Sequence, residues 1–407
     1  MSAVLQRATS LRDHLVDLRR AIHRHPEPGF REFETSQLVE RELTAIGSGD
    51  NRWTIRRVAG TGIIADIGPF GDGILLRADM DALEIEEETG VEYASRVKGM
   101  MHACGHDAHT AILLGAARVI AEQADQLKRG VRLVFQPSEE THPGGALSMI
   151  AGGALEGIAG AVALHVYPQE PVGTIALKSG PMMANSDDFN VVFRGVSGHA
   201  AQPHNTRDSL VAAADFVAQI QKIVSRRVDP FENVVVTVGK LAAGTRRNVI
   251  ASEAVIEGTI RTLNSEMRMK GRELLERAAR AAAEIVECGF DLTWIEGYPV
   301  VMNDKGMTRY VERIASDIVG EDGIRIMTNP SMGGEDFAYI AQKVPSCFFR
   351  LGSSNDDPAT KYGHHNAQFN IDESCLSIGV ALMSSAALSW RPEASPREAP
   401  VGRAMTS

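Results

Sequence analysis

The chain has 407 residues, 44% of them hydrophobic and 23% charged, and a formal net charge of -10. That length exceeds one ordinary hydrophobic core and predicts two domains, while the composition is that of a soluble globular protein. The acidic balance excludes a nucleic-acid binder, which needs a basic stripe to displace counterions from phosphates.

The opening MSAVLQRATSLRDHLVDL reads as an amphipathic helix rather than a secretory leader. Strands are expected within GILLRADMDA (73–82), GVRLVFQPSEE (130–140) and AGAVALHV (159–166), with a helix over AHTAILLGAARVIAEQ (108–123). This alternation predicts an α/β unit with a largely parallel sheet. The apolar stretch 144–166 is broken by glycines and Glu156, so it reads as a buried turn, helix and strand, with no membrane span. From 189 the pattern becomes strand, helix (208–224), two strands (233–241 and 254–262), helix (265–287) and strand (290–298). That βαββαβ order is ferredoxin-like. A helix at 305–318, a strand at 346–353 and a helix at 372–389 return to the α/β style. The expected organisation is a discontinuous domain of residues 1–186 and 298–391, an inserted ferredoxin-like domain of 187–297, and a disordered, proline-containing tail of 392–407. Cys104, Cys288, Cys347 and Cys375 lack framework spacing, which suits reduced thiols in a cytoplasmic protein.

Ligands of open α/β sheets bind beyond the carboxyl ends of the strands, and polar residues gather there. The first strand finishes in Asp79-Met80-Asp81, the second in Glu139-Glu140 and the third in His165, while MHACGHDAH (101–109) precedes a helix. Singly, each has a plain structural reading: Asp79 as a turn cap, the glutamates as a solvated pair, His165 as a core histidine. Together a thiolate, imidazoles and carboxylates on one rim form the mixed donor set used by zinc, manganese, cobalt or nickel. In Cys104-Gly105-His106 an extended backbone would turn both donors the same way. Adjacent Glu139 and Glu140 allow one carboxylate to hold metal while the other moves protons. His199 in GHAAQPH (198–204) has small neighbours, and GHHN (363–366) offers one of two histidines as a last ligand.

The segments HRHPEPGFREFET (23–35), LLRADMDAL (75–83), MHACGHDAHTAILLGAA (101–117), FQPSEE (135–140), SGHAAQPH (197–204), RNVI (247–250), GTIRT (258–262), GGEDFAY (333–339) and the His365-to-Phe369 spacing appear in order. In these the chain resembles M20-type metallopeptidases, in the amidohydrolase branch of hippurate hydrolases, N-acyl-amino-acid amidohydrolases and auxin-conjugate hydrolases. The resemblance covers roughly residues 10–390. It implies that Cys104, His106, Glu140, His165 and His365 hold two divalent metal ions, that Glu139 is the general base and then acid, and that Asp81 orients the ligands. It further implies that His199, Asn248 and Arg261 hold the oxyanion or the substrate carboxylate, and that Gly333 and Gly334 form a tight substrate wall. A homodimer through the inserted domain and a small N-acyl amino acid as substrate follow from the same resemblance.

This sequence departs from the family pattern at three places. Ala367 stands where a proline is common and His364 precedes His365, leaving the last ligand open between two histidines. Glu84 replaces a common proline, and Thr141-His142-Pro143 replaces a glycine-containing stretch, which brings His142 near the site. The competing activities are a dipeptidase or exopeptidase and a diaminopimelate-type deacetylase. A non-catalytic binder of acyl amino acids is the alternative of another class.

Overall fold

The structure is a computed structural model that describes residues 3–46 and 52–392. The tail expected to be disordered lies outside the described residues from 393 onward. In chain order the first part comprises α1 (Ala3–Ser10), α2 (Arg12–His23), α3 (Phe33–Ala45), β1 (Thr54–Val58), β2 (Gly62–Ile67), β3 (Gly73–Asp79), α4 (His106–Ala121), β4 (Val131–Gln136), α5 (Ala146–Ala151), β5 (Ile158–Pro171) and β6 (Ile175–Leu177). Then come β7 (Gly180–Met183), β8 (Asn185–Arg194), β9 (Gly198–His199), α6 (Ser209–Lys222), β10 (Val234–Ala243), β11 (Val249–Ile250), β12 (Glu253–Thr262), α7 (Ser265–Ile285) and β13 (Gly289–Ile295). The chain continues through β14 (Val301–Asn303), α8 (Lys305–Val319), β15 (Ile324–Ile326), α9 (Ala338–Ala341), β16 (Ser346–Ser354) and α10 (Cys375–Leu388).

An eight-stranded sheet runs β1-β2-β4-β3-β5-β16-β6-β15. Its four central strands, β4, β3, β5 and β16, are mutually parallel, as the alternating pattern predicts. The flanking pairs β1/β2, β2/β4 and β16/β6 are antiparallel, which no periodicity announced. Every residue of β3, β4 and β16 is buried, as a parallel sheet covered on both faces requires. Successive side chains serve opposite layers. Ile74, Leu76, Leu133 and Phe135 pack with Leu15, Ile112 and Val380 on one side. Leu75, Val134 and Ala163 pack with Met149, Phe337 and Ile340 on the other. Each such large side chain contributes roughly 1.5–3 kcal/mol by leaving water.

Strands β10-β12-β8-β13 form a second, wholly antiparallel sheet. Burial alternates along β12, so one face is covered and the other is not. The covered face packs with α6 and α7 around Phe189, Phe193, Phe216, Ile256, Ile260 and Leu275, a core distinct from those of the large sheet. Asp208 and Asn264 cap α6 and α7 by accepting from backbone N–H groups of their first turns. Apart from the two-stranded ribbon of β9 and β11, the element order within 185–295 is therefore βαββαβ.

Candidate active site

The rim of the large sheet concentrates buried charge. Asp79, the last residue of β3, accepts from Arg77 Nη1 at 2.6 Å and from His109 Nδ1 at 2.6 Å. His109 Nε2 in turn accepts from the Val166 N–H at 2.9 Å, which fixes its tautomer. Arg77, fully buried, also reaches Glu335 and Asp336 at 3.0 and 2.8 Å.

Two donor sets meet in front of this layer. The ligand atoms of Cys104, His106 and His165 lie within 4.8 Å of one another, and so do those of Cys104, Glu140 and His365. Cys104 belongs to both. His165 donates from Nδ1 to its neighbour Val166 O at 2.7 Å, leaving the Nε2 lone pair aimed at Cys104 Sγ, 3.4 Å away. His106 donates from Nδ1 to Asp81 O at 2.9 Å and faces Asp81 Oδ1 at 3.2 Å, while its Nε2 is buried with no hydrogen-bond partner. Glu140 Oε1 lacks a hydrogen-bond partner too and sits 3.2 Å from His365 Nε2. Asp81 Oδ2 accepts from the Glu140 backbone N–H at 2.9 Å, so a single carboxylate orients both donor segments.

The local chain path explains the convergence. Gly105 is not extended; it takes a left-handed φ of +90° just before α4. A Cβ there would come within 2.4 Å of Val166 Cγ2, so only glycine lets the Cys104 turn press against β5. Ser138, with a φ of +52°, redirects the chain after β4, and its N–H donates to buried Glu32 Oε1 at 2.8 Å. The adjacent histidines differ in their contacts. His364 Nε2 donates to Val166 O at 2.9 Å and its ring meets that of His165 edge-on at 4.7 Å, whereas His365 faces Glu140.

Electrostatics single out the same groups. Burial opposes charge on His106, yet Asp79, Asp81 and Glu140 outweigh it and hold the imidazole up to about 10. Burial and the nearby Glu140 and Glu139 push the Cys104 thiol well above its ordinary value. Burial, reinforced by Glu335, Glu140 and Asp336, does the same to the Glu139 carboxyl. Buried carboxylates crowded against few cations are costly. Orphaned His106 Nε2 and Glu140 Oε1, together with a sulfur common to both sets, fit divalent ions of the zinc, manganese, cobalt or nickel kind.

These residues open into a cavity of about 580 Å³. Glu139, Gly333, Gly334 and Arg261 line it, as do Tyr298, Arg350 and His142. The His142 ring meets Tyr298 edge-on at 4.2 Å, and Tyr298 Oη donates to the Glu139 backbone carbonyl at 2.5 Å. A Cβ on Gly334 would lie 2.6 Å from Ser186 Oγ, so the wall there needs glycine. His199 and Asn248 are outside the cavity lining; both are exposed, His199 on β9 and Asn248 just before β11, its partner in a two-stranded ribbon. Sequence reasoning passed over His109, Arg77, Glu335 and Asp336, although the last two stand directly after the glycines of GGEDFAY.

Comparison with known proteins agrees in fold. Residues 75–389 match Peptidase family M20/M25/M40. N-acetyl-L-cysteine deacetylase of Bacillus subtilis is 39% identical over 371 residues, covering 90% of this chain and 86% of the relative. IAA-amino acid hydrolase ILR1-like 4 of Arabidopsis thaliana is 37% identical, covering 92% and 85%. Among solved structures, the Bacillus subtilis YXEP protein, described as a dinuclear metal binding peptidase, has a TM-score of 0.79 at 33% identity, covering 93% of this chain and 98% of the other. With the family match over residues 75–389 and relatives 37–39% identical over most of its length, the chain belongs to the M20/M25/M40 peptidase family.

Proposed function

We propose that this protein hydrolyses the amide bond of N-acyl amino acids, releasing a carboxylic acid and a free amino acid. The observation that carries this reading is the pairing of two donor sets on one shared sulfur with a free carboxylate, Glu139, in the same cavity. The named activities of the deacetylase and the auxin-conjugate hydrolase support it. In this reading Cys104, His106 and His165 hold one cation, and Cys104, Glu140 and His365 a second, of zinc, manganese, cobalt or nickel. Such ions supply Lewis acidity, which lowers the pKa of water and polarises a carbonyl. Glu139 takes the proton as the water oxygen bonds to the acyl carbon and delivers it to the nitrogen as the carbon–nitrogen bond breaks. Arg261, which makes no ion pair among the described residues, receives the α-carboxylate in bidentate fashion. Gly333 and Gly334 let the backbone wall approach the substrate.

The 187–297 segment is assigned as a lid and dimerisation domain, with residues 1–186 and 298–391 as the catalytic domain. His199 and Asn248 are exposed away from their own cavity, which supports delivery of the oxyanion contact to the cavity of a second copy. The homodimer reading rests on that placement, and the cytoplasmic one is supported by four free cysteines, three of them buried. No helix among the described residues is long and apolar enough to cross a membrane.

The test is amino-acid release from hippurate, N-acetyl amino acids and dipeptides by chelator-treated enzyme with and without added zinc, manganese, cobalt or nickel. Metal-dependent release from acyl amino acids is expected. Preference for substrates with a free α-amine would shift the assignment to a peptidase. Tight binding without turnover would shift it to a non-catalytic binder. Asp81→Ala is expected to weaken metal affinity by about 10–100-fold, because it removes the carboxylate that faces His106 Nδ1 and holds the Glu140 N–H, although the bond from His106 to the Asp81 backbone carbonyl remains. Competition with a colorimetric chelator measures this, and an unchanged affinity would remove Asp81 from that role.

A further inference from the structure

Arg350 projects from β16 beside β5, its backbone paired in register with His165. It is 9% exposed, lines the cavity, and makes no hydrogen bond or ion pair among the described residues. Its guanidinium carbon lies 3.9 Å from the centroid of the Tyr167 ring, a stacking distance. Stacking occupies one face of the guanidinium and leaves the edge N–H groups, the ones that grip a carboxylate in pairs, free toward the cavity. Glu170, the acid whose charge acts on Arg350, is already engaged by Arg325 at 2.7 Å. Burial without a counter-ion pulls the pKa of Arg350 below its ordinary value. A buried, unpaired cation in a ligand cavity is expensive unless a ligand completes it. Arg261 stands on the other sheet, on β12, so the cavity presents two separate guanidinium groups to one occupant.

We propose that Arg350 is a specificity-determining residue that binds a second carboxylate, so that the preferred substrates are dianionic N-acyl amino acids. This rests on the N-acyl amino acid reading above. The second carboxylate has two chemical sources: an acidic side chain on the amino acid, or a dicarboxylic acyl group such as succinyl. The shared requirement is a planar carboxylate within reach of Arg350 while the amide faces Glu139 and the α-carboxylate faces Arg261.

The experiment compares N-acetyl-alanine, N-acetyl-glutamate and N-succinyl-alanine on the metal-loaded wild type, Arg350→Met and Arg350→Lys. At least one dianion is expected to exceed N-acetyl-alanine in kcat/KM by about tenfold or more, as a charge-assisted pair warrants. Which dianion does so identifies the source. Arg350→Met should lower that dianion by about 10–100-fold while N-acetyl-alanine stays within about threefold, and Arg350→Lys should recover part of the loss. The ratio between substrates within each variant cancels any difference in folded fraction. Calorimetric binding of the same compounds to metal-loaded Glu139→Gln, with and without Arg350→Met, reads affinity apart from turnover and should show the same selectivity. Equal loss on all three compounds, or no dianion advantage in the wild type, overturns the proposal. If none of the three is hydrolysed, the hydrolase reading fails for these substrates, and calorimetry still decides for or against Arg350.

Discussion

Glu139→Gln is expected to lower kcat by about 10²–10⁴-fold, the loss typical of removing a positioned proton carrier. The substitution keeps the shape of a side chain only 6% exposed, and the tie that anchors this loop, Tyr298 Oη to the Glu139 carbonyl, is to backbone and survives. Metal content should remain, because the donor atoms of both sets belong to other residues. Stability should hold or rise. Glu139, Glu335 and Asp336 offer carboxylate oxygens within 4.8 Å of one another, and Arg77 faces this cluster. Removing one acid from such a cluster relieves repulsion. Turnover of an N-acetyl amino acid, bound metal by elemental analysis and the thermal midpoint check the three statements together. Turnover within a few-fold of the wild type would remove Glu139 from the proton-transfer role.

The central parallel strands were legible because runs such as GILLRAD and VRLVFQ are apolar without alternation, the mark of burial on two faces. The βαββαβ order was legible for the opposite reason, since its strands alternate. The antiparallel edge formed by β1 and β2 was not, because short strands with Arg56 and Arg57 at an edge resemble loop sequence. In the candidate site, the gathering of thiol, imidazole and carboxylate groups was legible by type and order, but the chain path that brings them together was not. Cys104 and His106 converge through a left-handed glycine at a helix start instead of an extended segment, and backbone handedness leaves little trace in residue type. Arg77 within an otherwise apolar strand carried no sign of its partners, Asp79, Glu335 and Asp336, because two of these lie more than 250 positions away. What distinguishes His364 from His365 is the Val166 carbonyl that His364 meets, a contact outside any motif.

Removing divalent cations with a chelator is expected to abolish hydrolysis and to make stability fall as pH rises from about 6.5 to 8.5, a window in which unperturbed carboxyls are already ionised. Burial, Asp336 and Asp79, only partly offset by Arg77, hold Glu335 up to about 7. The Glu139 carboxyl is held well above its usual range and His106 at about 10. Across this window the unfolded chain has lost both carboxyl protons, while the folded chain keeps that of Glu139 and, up to about pH 7, that of Glu335. For His106, the folded chain stays protonated above the pH at which the unfolded one titrates. In each case the folded state binds the extra proton, so raising the pH favours unfolding, by about 1.4 kcal/mol per pH unit for each full extra proton. His165 is depressed well below its ordinary value, and His102 and His364 are held near 4. In the unfolded chain these three are still about half protonated at pH 6.5, which offsets part of the slope at the low end, and above about pH 7.5 they are neutral in both states and add little. Bound cations take over the role of those protons, because metal binding and proton release are coupled at such donors. The metal-loaded protein should therefore show a higher thermal midpoint and a flatter pH profile. Scanning calorimetry of stripped and reloaded protein across this range measures both, and coincident profiles would mean that Cys104, His106, Glu140, His165 and His365 do not hold the metals.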